Sequence, residues 1–104
     1  MEIILREDAI NQLSKISFKE NEGIRIATEQ EQSCSLFVDY TLIKDQQKDS
    51  DLKILANGIS FLLSKSTKEI LPERLYINFV NPTGYKLYTD EEILKANMQL
   101  KINM

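Results

Sequence analysis

The stretch LKILANGISFLL, residues 52–63, constrains the fold more than any other part of the chain. Two apolar runs flank Asn57-Gly58, and an Asn-Gly pair suits the type I′ turn of a β-hairpin because both central residues there take positive φ. An isolated hairpin is marginal in water, so the remaining sequence has to cover its apolar face. Further strand-like runs supply the cover. Glu2–Leu5, Gly23–Thr28, Leu75–Val80, Gly84–Tyr88 and Met98–Ile102 each read as strands. The longest strand candidate starts at Cys34: Leu36, Val38, Tyr40 and Leu42 share one face, and Phe37 and Ile43 lie on the other with Asp39 and Thr41.

Helices are fewer and shorter. Ala9, Ile10, Leu13 and Ile16 recur at helical spacing and predict a helix over Glu7–Ser17, with Asp8 near its positive end. SKSTKEIL, residues 64–71, predicts a short helix that stops before Pro72. Thr89 with Glu92 three residues later forms a capping box and predicts a helix over Glu91–Asn97. NPTG, residues 81–84, fits a type I turn, and KDQQKDSD, residues 44–51, reads as a polar loop. The expected order is β-α-β-β-hairpin-α-β-β-α-β in one domain spanning residues 1–104, with no repeat or linker. That is an α+β chain, a small sandwich of mostly antiparallel or mixed strands.

Charge narrows the partners. The net charge is −3 and the sequence pI about 5.0, with no cluster of basic residues, which argues against a nucleic-acid partner. Lys44/Lys48 and Lys65/Lys68 sit among acidic and neutral neighbours and read as solvated faces. MEIILRED lacks the basic start of a signal peptide, and no apolar run approaches a membrane span. A single cysteine forms no internal disulfide. These features lead to the expectation of a cytoplasmic protein with no membrane partner.

The residues that could carry chemistry are few. Cys34 is the only cysteine, and the chain has no histidine. Two readings of Cys34 stand side by side: a small buried hydrophobe on the Leu36–Leu42 face, or an exposed thiol at a strand entry flanked by Ser33 and Ser35. One soft ligand does not make a tetrahedral metal site, so a thiolate-rich site would need Cys34 from several subunits. Asp39, or Asp45, Asp49 and Asp51, could offer hard oxygen ligands, but the loop acids lack the spacing and glycine of a calcium loop and read as a solvated turn. Without histidine, Ser-His and Cys-His nucleophiles are excluded, and no glycine-rich phosphate loop is present. Glu29/Glu31 and Glu91/Glu92 suit loops and helix starts, and Tyr40, Tyr76, Tyr85 and Tyr88 suit amphipathic strand positions. No catalytic residues emerge; the expectation is a protein that is not an enzyme.

The order of these pieces resembles the HesB-like, or A-type, iron–sulphur cluster biogenesis family. Ile3 to Leu13 match its opening I-x-L and D-A-x-x-x-L, followed by G-I-R-I at Gly23–Ile26 and C-S at Cys34-Ser35. The aromatic strand through Tyr40 and Leu42, the hairpin near Gly58, L-x-I-x-F at Leu75–Phe79 and G-Y-K-L at Gly84–Leu87 continue the match. The resemblance implies a HesB-like β-sandwich whose members bind iron or an iron–sulphur cluster through three cysteines, usually between subunits, and pass it to recipient proteins. Of those three, only the first is matched, by Cys34; where the family has a C-terminal C-x-C, this chain reads TDEEILKANMQLKI. The implied function is therefore carrier-like, with Cys34 as the sole cofactor or metal ligand. Either iron or a cluster is shared in a homo-oligomer with protein partners of iron–sulphur assembly, or no metal is bound. The alternative is a protein–protein interaction module that keeps the fold without the metal.

Overall fold

A computed structural model describes residues 1–30 and 38–102. Strand β1 (Glu2–Leu5) leads into helix α1 (Glu7–Leu13), then β2 (Glu22–Gln30), β3 (Val38–Gln46), β4 (Leu52–Ala56) and β5 (Ile59–Leu63). Helix α2 (Lys65–Ile70) follows, and β6 (Arg74–Val80), β7 (Gly84–Tyr88), β8 (Ile93–Met98) and β9 (Leu100–Ile102) complete the order. The strands form two mixed sheets, β1-β6-β7-β8 and β4-β5-β2-β3-β9. The α+β class read from the sequence is what the structure shows.

Alternation decides which side chains meet between the sheets. Ile24, Ile26, Leu42, Phe61 and Leu63 from one sheet join Leu75, Ile77 and Leu87 from the other in a single buried cluster, with Ala9 and Leu13 of α1. The β4–β5 hairpin turns through Asn57 at φ 53° and Gly58 at φ 78°, the pair of positive values its sequence predicts. β1 joins β6 in parallel from Glu2↔Arg74 to Leu5↔Ile77, and β9 joins β3 in parallel from Leu42↔Leu100 to Lys44↔Ile102. The chain thus crosses from one sheet to the other at Gln99, whose amide donates to the Thr83 carbonyl at 3.1 Å.

Three local expectations change. α1 ends at Leu13 because three-residue turns replace the helical pattern: Lys15 N–H donates to Gln12 and Ile16 N–H to Leu13, while the Ser14 hydroxyl donates to Asn11. β3 runs on through Lys44–Gln46, which composition had assigned to the loop. Residues 81–83 form a turn between β6 and β7, as NPTG predicts, and the Asn81–Pro82 peptide is cis. The largest change is at Glu91–Asn97. Thr89 Oγ1 does accept the Glu91 and Glu92 N–H groups, both at 3.1 Å, as a capping residue would. But the Glu92 carbonyl turns back to accept the Thr89 N–H at 2.8 Å, and Ile93–Met98 pairs with β7 as a strand. Pairing with a neighbour overrides local helix preference there.

α2 is the short helix its sequence predicts, and Ser64 caps it. Ser64 Oγ accepts the Thr67 N–H at 3.2 Å, and the buried Thr67 hydroxyl lies 2.9 Å from that of Thr28 on β2. Ser64→Ala is expected to lower stability by about 1 kcal/mol in urea unfolding at unchanged m-value, and Ser64→Asp to recover most of it.

Candidate functional site

β2 and β3 pair without a break from Glu22↔Gln46 to Gln30↔Val38. The connection between them, residues 31–37, carries Cys34; it lies outside the described residues, as do Glu31, Leu36 and Phe37. The β3 end next to this connection is described from Val38 onward. Asp39 on β3 holds Lys95 of β8 at 2.5 Å, and the same ammonium donates to the Tyr40 carbonyl at 3.0 Å. Lys95, and secondarily the Tyr40 N–H, keep the Asp39 carboxyl below the usual carboxylate range. An exposed sheet edge is therefore covered at Tyr40 by a lysine from the other sheet.

A groove of about 520 Å³ opens beside Tyr40. Its lining includes Ile70 at the end of α2, Glu73 just beyond it, Asp90, Glu91 and Glu92 of the β7–β8 turn, and Leu94 of β8. Arg74 enters from β6, where it reaches Glu2 at 3.3 Å and Asp90 at 3.9 Å. Asp90 also accepts the Tyr76 hydroxyl at 2.7 Å, and the Tyr76 ring stacks on Tyr88 with centroids 5.1 Å apart. Burial first, and the Glu92 carboxylate second, push the Tyr40 phenol upward, so it stays protonated at neutral pH.

Asp45 and Asp51, expected on a solvated turn, are instead bound to a guanidinium. Arg25 Nε donates to Asp45 at 2.8 Å, and its two terminal nitrogens reach Asp51 at 2.8 and 2.6 Å. The Asp51 side chain is only 2% exposed. Arg25 holds the Asp51 carboxyl below its ordinary range, and the two carboxylates hold the guanidinium above its own. Asp49 remains exposed and apart. Sequence patterning offered one signal for this cluster: Arg25 interrupts the apolar GIRIAT strand on the face opposite Ile24 and Ile26.

Among the described residues no group of three or more His, Cys, Asp or Glu side chains could hold a metal ion. With no histidine and one cysteine, a single chain does not supply the four ligands an iron–sulphur cluster normally takes. The groove was not foreseen from the sequence, because its walls come from β3, the end of α2, β6 and the β7–β8 turn.

Residues 1–102 match the family model for iron–sulphur cluster biosynthesis. The chain belongs to that family. Solved structures share the architecture of this iron–sulphur biosynthesis protein at low sequence identity. A candidate Fe–S biosynthesis protein from Lactobacillus salivarius superposes with a TM-score of 0.73 at 15% identity, over 98% of both chains. Another from Lactobacillus acidophilus gives 0.69 at 15% identity, over 98% of this chain and 88% of that one. Escherichia coli SufA, involved in biosynthesis of iron–sulphur clusters, gives 0.63 at 16% identity, over 88% of this chain and 91% of SufA. No curated protein matches. Among the described residues, no helix of this family member is long and apolar enough to cross a membrane.

Proposed function

We propose that this protein serves iron–sulphur cluster biogenesis by binding rather than turnover, with Cys34 as the thiolate each subunit contributes to iron or a cluster in transit. The family match over residues 1–102 carries this reading. Because each chain has one cysteine, the cargo would be held by a homo-oligomer, and its recipients would be protein partners of iron–sulphur assembly. The test is anaerobic reconstitution with ferrous iron and sulphide on wild type and Cys34→Ala, followed by desalting. Wild type is expected to retain both elements in an oligomer, and the variant to lose them.

One observation favours a second reading. The stretch that would carry the family's C-terminal cysteines forms β8 and β9 here, each paired into a sheet. If neither protein retains iron, the carrier reading falls, and a protein–protein interaction module without metal takes its place.

A further inference from the structure

We draw no further inference here: the strongest candidate, the outer face of the β1-β6-β7-β8 sheet with its stacked Tyr76–Tyr88 pair, Lys86 over the Tyr88 ring and exposed Val80, carries nothing because nothing in the structure shows what covers it.

Discussion

Arg25→Met will cost the fold about 3 to 5 kcal/mol, far more than an ordinary surface substitution. Its guanidinium spans three attachment points: Asp45, Asp51 and the Gln46 carbonyl, the last at 3.1 Å. Removing it leaves the Asp51 carboxylate, 2% exposed, with the Lys48 N–H at 2.7 Å but without its countercharge. The Leu62 side chain, the Cα partner of Arg25 on β5, is buried yet stands apart from the main core cluster. Urea unfolding should show the loss directly, as a lower midpoint at similar m-value. The pH dependence gives a second readout. A carboxylate depressed by its partner contributes stability that is complete above its unfolded value, about 4, and disappears as pH falls through the lower folded value. Wild type should therefore lose stability steadily below about pH 4, whereas Arg25→Met should show a flatter profile over the same range. A variant as stable as wild type at pH 7 would show that the cluster contributes nothing net.

Gly84→Ala is the second large effect, expected at about 3 kcal/mol. Gly84 sits at φ 123°, a conformation L side chains rarely adopt, and a Cβ there would run into the Met98 carbonyl and lie 2.9 Å from the Gln99 amide nitrogen. Strain and clash act together, at the point where β7 meets the end of β8. Gly58→Ala separates the two causes: Gly58 is at φ 78° with nothing near its absent Cβ, so only the conformational cost of about 1 to 2 kcal/mol applies. The difference in urea midpoint between the two variants measures the collision. Equal losses would mean that β8 moves aside freely.

What could be read from the sequence was what neighbouring residues decide together. Asn57-Gly58 sets its own turn, SKSTKEIL forms its own short helix before Pro72, and the alternation of Ile24, Ile26, Tyr40 and Leu42 finds the buried face without help from distant parts. The misreadings share one cause. Thr89 makes the hydrogen bonds a helix cap would make, yet β7 is available as a partner, and Ile93–Met98 becomes a strand. Asp45 and Asp51 look solvated until Arg25 is brought under them from β2. The groove at Tyr40 has no linear signature at all. Cys34, the residue that most shaped the functional expectation, lies outside the described residues.

The order of strands also sets the order of events as the chain emerges during synthesis. The β2–β3 hairpin pairs residues close in sequence and can form early, but its outer flank at Leu42–Lys44 has no strand beside it until Leu100–Ile102 is made. β1 waits likewise for Arg74–Ile77. Such long-range pairings are slow to close and leave unpaired backbone open to other chains in the interval. The scaffold around Cys34 is thus assembled before it is sealed, and nascent chains would be most open to sticking to one another between synthesis of residue 46 and residue 102.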